Sequence, residues 1–398
     1  MPPSVTFASL SAVAALAVVV AAACLRGRFY AVFAAVLLSI HTSISVAMWP
    51  WSGWLWPLYA ALQATVFLHF ASLIRPALRP TWWRILVSQP AAFFVAGTFL
   101  AAPWAIASAF DVRPVLAWVP YAIALAGLVQ SLRHDAEEID VTLDRHPADA
   151  LRRHPLGGDR VDRPLRLVQI TDPHLGPFMS VARLRAIAER AVEKDPDLVL
   201  LTGDFLTMES HDGEAALTEA FSPLRRLPGR VFACRGNHDH EAPEVVARAL
   251  ASVGARLLID EAVVVETGAG PVQIVGLDFH GRGHRRERIE ATCSENPRIP
   301  GAMRLVLLHD PGAFVHVPPG EGDLVLAGHT HGGQIGLLSL GLPHTFVSAF
   351  TSIPDHGLWA HGANRLYVHR GTGHYGFPLR VGVPAEESLL RVHDQAWR

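Results

Sequence analysis

The chain has 398 residues, of which 50 % are hydrophobic and 18 % charged, and its formal net charge at pH 7 is −2. This length allows two or three domains, and a near-neutral charge without a long basic block gives no indication of nucleic-acid binding. The three cysteines, Cys24, Cys234 and Cys293, lack C-x-x-C spacing, which excludes a disulfide framework. Charged side chains are sparse in the first third, and all but two of the 21 histidines follow it. The composition therefore divides the chain into an apolar front, residues 1–133, and a histidine-rich back, residues 134–398.

The apolar front is predicted to be an α-helical membrane domain with about five spans. A transmembrane helix needs about 20 predominantly apolar residues to cross the hydrocarbon core of a bilayer. Five apolar runs approach or exceed this length, at roughly 4–25, 29–48, 53–74, 85–109 and 114–132.

The arginines between these runs predict an orientation. The turns after the first and third runs carry Arg26, Arg28, Arg75, Arg79 and Arg84, whereas the opposite turns carry only Arg113. Cytoplasmic loops are enriched in positive charge. We therefore expect a multi-pass protein of a bacterial inner or plasma membrane, with residues 134–398 on the cytoplasmic side and the lipid bilayer as a partner.

Two histidines, His41 and His69, lie inside the predicted spans. Because no carboxylate accompanies them there, we expect neutral imidazoles hydrogen-bonded to a neighbouring helix. A role in moving a proton or a substrate is the alternative.

The back part is predicted to be an α/β domain with its core at 165–398. Alternation over Ile139–Leu143 predicts an edge strand, and Ser180 is a plausible helix N-cap. Continuous Val/Leu/Ile runs predict buried strands, and they lie at 165–171, 197–202, 230–234, 263–266, 272–277, 305–308 and 324–327. Helices are expected at 214–227 and 243–253.

Five of these strands end in residues able to bind metal. The ends read Thr171-Asp172-Pro173-His174, Gly203-Asp204, Gly236-Asn237-His238-Asp239, His309-Asp310 and Gly328-His329-Thr330-His331. In open α/β sheets, ligands bind beyond the carboxyl ends of the strands, so these five ends are expected to converge. Oxygen and imidazole donors suit Mn, Fe or Zn, and two such ions can clamp a phosphoryl group. The sequence therefore predicts a centre for two divalent metal ions.

In this order, D-x-H, G-D, G-N-H-D, a lone His and G-H-T-H resemble the motifs of the calcineurin-like metallophosphoesterase superfamily, over roughly residues 165–398. The tail resembles the membrane-associated YkuE- and YaeI-like branch, through Arg370-Gly371-Thr372-Gly373, Pro378-Leu379-Arg380 and Pro384-Ala385-Glu386-Glu387. The resemblance implies a four-layer sandwich of two packed β-sheets flanked by helices. It also implies hydrolysis of a phosphoester by attack of metal-bound hydroxide.

The resemblance assigns a role to each matching residue. Asp172, His174 and His331 would hold the first ion, and Asn237, His309 and His329 would hold the second. Asp204 would bridge both ions. His238 would stabilise the transition state or protonate the leaving oxygen. Many relatives carry a carboxylate three residues after the bridging aspartate, where this chain has Thr207. That departure leaves the partner of His238 open.

Three further residues are candidates for substrate contact, each with an alternative. Arg235 precedes Gly236 and would reach a substrate phosphate or simply cap its strand. His240 would contact the substrate or support the metal ligands from behind. His374 lies in the glycine-rich tail, where either substrate contact or a structural role is open.

These features together predict a membrane-anchored phosphoesterase. Its substrate would be a phosphoester or pyrophosphate on a small molecule, which the membrane location suggests is linked to a lipid or a nucleotide. The alternative is a membrane sensor or scaffold whose phosphoesterase domain binds metal but is weakly active. The sequence sets no oligomeric state.

Overall fold

The structure is a computed structural model that describes residues 2–144, 146–156 and 158–394. The last four residues of the predicted core, 395–398, lie outside the described residues.

The front of the chain is a bundle of apolar helices. They are α1 Pro3–Leu25, α2 Arg28–Met48, α3 Trp56–Ser72, α4 Thr81–Trp83, α5 Gln89–Leu100, α6 Ala102–Ala109 and α7 Val119–Ser131. A π-helical turn at Arg84–Ser88 joins α4 to α5, so that Thr81–Leu100 is one continuous helix. By length and composition, Pro3–Leu25, Arg28–Ser72 and Thr81–Leu100 are apolar enough and long enough to cross a membrane.

The second of these segments has 45 residues, more than twice the length that one crossing needs. It folds back at a 3-10 segment, Trp49–Leu55, where Gly53 has a left-handed φ of 55°. Hydrogen bonds from Tyr30 to the Phe70 carbonyl and between His41 and Gln63 show that its two arms run antiparallel.

The predicted fourth and fifth spans differ from the observed helices. The fourth is interrupted at Ala101, where α5 ends and α6 begins. The fifth contains α7, which has 13 residues and is shorter than the hydrocarbon core of a bilayer. The expectation of five spans therefore stays a prediction.

The two histidines of the helical part have different partners. His41 Nε2 lies 3.0 Å from Gln63 Oε1 on the neighbouring helix, as expected for a neutral imidazole between helices. His69 Nδ1 lies 4.0 Å from Glu209 Oε1. His69 Nδ1 has no hydrogen-bond partner among the described residues, so the expected bond to a neighbouring helix is not observed for His69, and the nearby carboxylate belongs to the back half of the chain.

The back half contains two mixed β-sheets. The first sheet has the order β1-β13-β3-β4-β5-β6, with β1 His134–Leu143, β3 Leu165–Ile170, β4 Leu198–Leu201, β5 Val231–Ala233, β6 Arg256–Leu257 and β13 Ala385–Asp394. The second has the order β2-β11-β12-β10-β9-β8-β7, with β2 Ala148–Arg153, β7 Glu261–Thr267, β8 Gly270–Gly276, β9 Met303–Leu307, β10 Leu324–Ala327, β11 Gly357–Gly362 and β12 Asn364–Val368.

The two sheets pack face to face, with helices on both outer faces. The inner core joins Leu167 and Leu200 of the first sheet to Ile274 and Leu305 of the second. The outer face of the first sheet is covered by α8 Val181–Glu193, α9 Glu214–Phe221 and α10 Pro243–Ser252. The outer face of the second is covered by α11 Arg285–Glu295. A short helix, α12 Phe346–Phe350, lies in the loop before β11. These layers form the expected four-layer sandwich.

Local sequence signals account for several of these elements. The Ser180 side chain accepts a hydrogen bond from the Arg183 N–H at 3.1 Å, so the predicted N-cap of α8 is confirmed. The predicted edge strand is confirmed as β1, which pairs with β13 alone in its sheet. The helix expected at 214–227 ends earlier, at Phe221, and continues as a 3-10 turn that contains Pro223. Proline cannot donate the backbone hydrogen bond that a helix interior requires.

The helical bundle docks on the back half of the chain through the ends of its helices. Arg26 donates to the Met208 carbonyl at 3.3 Å, and Arg84 donates to the Pro177 carbonyl at 2.8 Å. At the end of α7, the Ser131 hydroxyl accepts from the Arg380 N–H at 2.8 Å. The arginine-bearing turns therefore lie on the side of the bundle that faces the β-sheets.

Glu209 lies at the interface between the helical bundle and the back half, 4.0 Å from His69. Its side chain is buried, with 5 % of the residue exposed. Burial raises the pKa of Glu209 to about 7, although the nearby Arg79 and Arg84 favour the charged form. The folded chain therefore holds a proton that the unfolded chain releases between about pH 4.5 and pH 7.

Replacing Glu209 by an isosteric neutral amide tests this interface. Because the pKa is raised in the folded state, the free energy of unfolding falls as pH rises through this window and levels off above it. We expect Glu209→Gln to stabilise the chain by roughly 3 kcal/mol at pH 8 and by little at pH 4.5. Thermal unfolding of the detergent-solubilised chain at both pH values measures this difference. Glu219→Gln, at an exposed glutamate, is the matched control, and an equal effect of both changes would contradict the prediction.

Candidate metal centre

Seven predicted ligands lie at strand ends of both sheets. In the first sheet, Asp172 and His174 follow β3, Asp204 follows β4 and Asn237 follows β5. In the second sheet, His309 follows β9, and His329 and His331 follow β10. β3, β4 and β5 run parallel to one another, as do β9 and β10, so the carboxyl ends within each sheet lie along one edge. The packing of the two sheets then brings the two edges together.

One group of side chains that could hold a cation consists of Asp172, His174 and His331, with donor atoms within 4.8 Å of one another. Asp172 Oδ1 lies 3.3 Å from His331 Nε2 and 3.9 Å from His174 Nε2. All three residues are buried.

A second group consists of Asp204, His309 and His329, again within 4.8 Å. Asp204 Oδ2 lies 3.2 Å from His309 Nε2 and 3.7 Å from His174 Nε2 of the first group. His329 Nδ1 lies 3.2 Å from His309 Nε2. The Asp204 carboxylate therefore lies between His309 of the second group and His174 of the first, at the position that the resemblance assigns to a bridging ligand.

Hydrogen bonds to the backbone orient two of these imidazoles. His174 Nδ1 lies 3.2 Å from the Leu206 carbonyl, and His309 Nδ1 lies 2.7 Å from the Thr202 carbonyl. A ring that donates from Nδ1 keeps the lone pair of Nε2 for a metal, which is the usual arrangement of metal-binding histidines.

Unpaired buried atoms indicate that the site fits cations. Among the described residues, His174 Nε2 and Asn237 Oδ1 are buried and have no hydrogen-bond partner. Buried polar atoms without a partner are rare in proteins and need an explanation such as an ion. Nitrogen and oxygen donors without thiolates suit Mn, Fe or Zn alike. The donor set therefore fits divalent metals without selecting one of them.

The backbone of the ligands is strained. Of the ten non-glycine residues with positive φ in the described part of the chain, five are predicted ligands. They are Asp172, His174, Asp204, His329 and His331, with φ between 46° and 66°. Such conformations are costly for residues with a Cβ and cluster at functional sites, where the surrounding structure holds them in place. The strain aims these side chains at a common centre.

The buried charges of the site depend on one another. Burial would raise the pKa of Asp172 and Asp204, but the charges of His331 and His309 hold both pKa values well below their ordinary range. Burial would lower the pKa of His309, but the charge of Asp204 raises it to about 10. Both carboxylates are therefore ionised and require positive charge nearby, which protons or cations can supply.

His238 has a carboxylate partner that the sequence analysis left open. Its Nδ1 lies 2.9 Å from Glu241 Oε1, three residues later on a 3-10 turn. Glu241 also lies 3.2 Å from His211 Nε2. Burial opposes protonation of His238, but the hydrogen bond with Glu241 and the charges of Asp204, Glu241 and Asp239 together outweigh it and raise the pKa of the imidazole. Glu241 thus gives His238 a carboxylate neighbour in place of the one that many relatives carry at the position of Thr207, and the i,i+3 spacing was the available signal.

Arg235 and His240 lie on either side of one carboxylate. Arg235 donates to Asp278 Oδ1 at 3.0 Å from Nε, with a second bond from its Nη2 to Oδ2. His240 Nε2 lies 3.2 Å from the same Oδ1. The structure therefore gives both residues a protein partner, and their contact with a substrate stays a prediction.

In the glycine-rich tail, Tyr375 rather than His374 reaches the ligands. The Tyr375 ring stacks on His174 with centroids 4.8 Å apart and meets His238 edge-on at 4.4 Å. His374 instead packs against Phe178, with centroids 4.5 Å apart. Gln334 holds this segment by accepting from the Tyr375 N–H at 2.9 Å.

Gly328 is required for the position of Asp172. A Cβ at residue 328 would lie 2.1 Å from Asp172 Oδ2 and 2.2 Å from Thr171 Oγ1. We expect Gly328→Ala to displace the carboxylate and to weaken Mn²⁺ binding roughly 10- to 100-fold, as losses of supporting groups around metal ligands do. Titration of metal-stripped chain with Mn²⁺ measures the affinity. Gly281→Ala is the control, because a Cβ there meets no described atom within 4 Å. Equal affinities of the two variants would contradict the prediction.

Comparisons with known proteins agree with this geometry. Residues 165–333 match the family model described as calcineurin-like phosphoesterase. The chain is 29 % identical over 235 residues to Phosphodiesterase YaeI of Escherichia coli, covering 58 % of this chain and 82 % of that protein. It is 29 % identical over 237 residues to the metallophosphoesterase YkoQ of Bacillus subtilis, covering 57 % and 83 %.

A third relative combines the same domain with a membrane part. The chain is 28 % identical over 241 residues to the "Transmembrane protein with metallophosphoesterase domain" of Danio rerio, covering 56 % of this chain and about half, 52 %, of that protein. The matched residues include all seven predicted metal ligands and His238. Residues 165–333 therefore form a calcineurin-like phosphoesterase domain, and the names of these relatives support a metal-dependent phosphoester hydrolase.

Proposed function

We propose that the chain is a membrane-anchored phosphodiesterase whose catalytic centre uses two divalent metal ions. The observation that carries the proposal is that Asp204 lies close to His309 of its own donor group and to His174 of the other group. Asp172, His174 and His331 would hold one ion, and Asn237, His309 and His329 the other, with Asp204 between them. When bound, such ions polarise phosphoryl oxygens and make water a nucleophile near neutral pH.

The chain's own residues would position the substrate and handle the leaving group. His238 lies beside Asp204, since its backbone N–H donates to Asp204 Oδ1 at 2.8 Å. Glu241 orients the imidazole and favours its protonated form, which suits donation of a proton to a departing oxygen. Tyr375 covers His174 and His238 on one side and thereby limits access of water to the ligands.

Exposed apolar side chains support a membrane anchor. In α1, Leu10, Val13 and Leu16 are each more than 60 % exposed, which is unfavourable in water and favourable in lipid. In the catalytic half, Leu340 and Phe350 are 74 % and 75 % exposed. They lie in a segment that the Gln130 side chain of α7 contacts at Ser339, 2.7 Å away.

The arginine-bearing turns support a cytoplasmic catalytic half. They lie on the side of the bundle that faces the β-sheets, and positive charge is retained in the cytoplasm. Such an arrangement would hold the metal centre close to the inner surface of the membrane.

Removal of Asp204 tests the metal centre. We expect the full chain in detergent with Mn²⁺ to hydrolyse bis-p-nitrophenyl phosphate, to bind two ions and to lose activity with a chelator. Asp204→Ala should lose activity by at least about 1,000-fold and retain fewer than two ions, because the shared ligand contributes to both sites. Metal content by mass spectrometry and release of p-nitrophenolate are the measurements.

Asp212→Ala, at an exposed aspartate, is the matched control and should behave like the wild-type chain. Wild-type activity of Asp204→Ala would contradict the proposed centre. Two bound ions without hydrolysis of any diester, monoester or pyrophosphate would instead favour a sensor or scaffold.

Changes at His238 and Glu241 separate proton transfer from metal binding. His238→Ala should lower kcat on the diester roughly 100-fold or more, the range for loss of general acid catalysis, with two ions still bound. Glu241→Gln should lower kcat by about tenfold, and Glu241→Asp should recover part of the loss, because the side chain acts by orienting the imidazole. Glu244→Gln, at an exposed position, is the control. Loss of metal in His238→Ala would contradict its assignment as a non-ligand.

A further inference from the structure

A cavity of about 190 Å³ lies between the helical bundle and the catalytic half. One wall is formed by α2, α3 and α5, through side chains that include Phe33, Phe70 and Ala92. The opposite wall is formed by loops of the catalytic half, including Phe178, Met208 and Pro378. The cavity therefore exists only where the two parts of the chain meet.

This cavity reaches the metal centre at one end. His174, a predicted ligand, and Tyr375, which stacks on it, both line the cavity. His374, packed against Phe178, lines it as well, and its contact with a substrate stays a prediction. A molecule that fills the cavity would thus extend from the ligands of the first ion towards the apolar helices.

Most of the surface of the lining is apolar, and its polar side chains are His69, Ser131, His174, Arg183, Thr207, Glu209, His374 and Tyr375. Glu209 and His69 form one polar spot, 4.0 Å apart, and Arg183 is held by the carbonyls of Phe178 and Ser131. Apolar cavities of roughly 150 Å³ stay dry and bind small apolar molecules such as benzene. This cavity exceeds that size, and its mostly apolar surface suits a hydrocarbon group.

We propose that this cavity binds the alkyl chain of an amphipathic phosphoester while its phosphate lies at the metal centre. The proposal rests on the proposed function, since it names the substrate class of the same site. Three observations carry it: the cavity borders a metal ligand, its lining is apolar, and one of its walls consists of the helices that expose apolar side chains elsewhere. A hydrocarbon chain could enter from lipid along these helices without passing through water.

A series of diesters that differ only in chain length tests this inference. The full-length chain in detergent is assayed with Mn²⁺ on p-nitrophenyl methyl, butyl and octyl phosphate. Hydrolysis joins a water oxygen to phosphorus and breaks the bond to p-nitrophenolate, releasing the alkyl phosphate. Each methylene transferred from water to an apolar site increases binding about fourfold. We expect kcat/KM to rise roughly 10- to 60-fold from methyl to butyl, and then to level off as the cavity fills.

Filling the cavity should remove this dependence. Ala92 lines the cavity and belongs to none of the large buried clusters, so Ala92→Phe occupies the space with little disturbance of the packing around it. We expect the ratio of kcat/KM for the butyl and methyl diesters to fall towards 1. Leu37→Trp, from the opposite helix of the same wall, should do the same if Ala92→Phe does not fold.

Ala64→Phe is the matched control, because Ala64 is exposed on α3 and does not line the cavity. It should keep the wild-type ratio, which also corrects for partitioning of substrate into micelles. No dependence on chain length in the wild type, or an unchanged ratio in both cavity variants, would overturn the inference and leave the proposed phosphodiesterase standing. Absence of hydrolysis of the methyl diester as well would show that the proposed function itself has failed.

Discussion

Two buried carboxylates determine how the catalytic half is built. Asp172 and Asp204 are removed from water at the ends of adjacent strands, and an ionised group in that position requires compensation by opposite charge. Histidines from β9 and β10 of the other sheet provide imidazoles within 4.0 Å of these carboxylates. Of the imidazoles near these carboxylates, only that of His174 comes from the first sheet, so most of the compensation depends on packing of the two sheets against each other.

The segments around the ligands serve this arrangement. Asp239 accepts hydrogen bonds from the N–H groups of Asp204, Phe205 and Gly236 and fixes the two loops that carry Asp204 and Asn237. Arg380, which is fully buried, donates to carbonyls of the glycine-rich tail and to the His331 carbonyl. These contacts hold strained backbone in place, which explains why the chain tolerates left-handed conformations at five ligands.

Much of the site was predictable from the sequence, because metal-binding residue types follow short apolar runs at fixed spacing. The run 324–327 coincides with β10, and the helix cap at Ser180 was a local signal. Strands β11, β12 and β13 were not predicted. Although β11 and β12 form a local hairpin, that hairpin and β13 are placed in their sheets by pairing with strands distant in the chain, which local propensity does not encode.

The missed features of the site have the same origin. Glu241 was not assigned because its bond to His238 depends on a 3-10 turn after Asn237 rather than on a helix. The cavity beside Tyr375 could not be predicted, because it forms where the helical bundle packs against the catalytic half and sequence patterns do not indicate that packing. The interruption of the fourth apolar run at Ala101 similarly depends on how the helices pack.

The position of β13 has a consequence for biosynthesis. This strand, near the C-terminus, lies between β1, which follows the helical bundle directly, and β3. Until β13 has been synthesised and has left the ribosome, β1 has no neighbour and β3 presents an unpaired edge. Sheets that depend on such distant pairing form slowly, and unpaired edges recruit other strands. Neighbouring nascent chains could therefore pair wrongly through the exposed edge of β3. A chain truncated before residue 385 would lack β13 and would keep this edge unpaired.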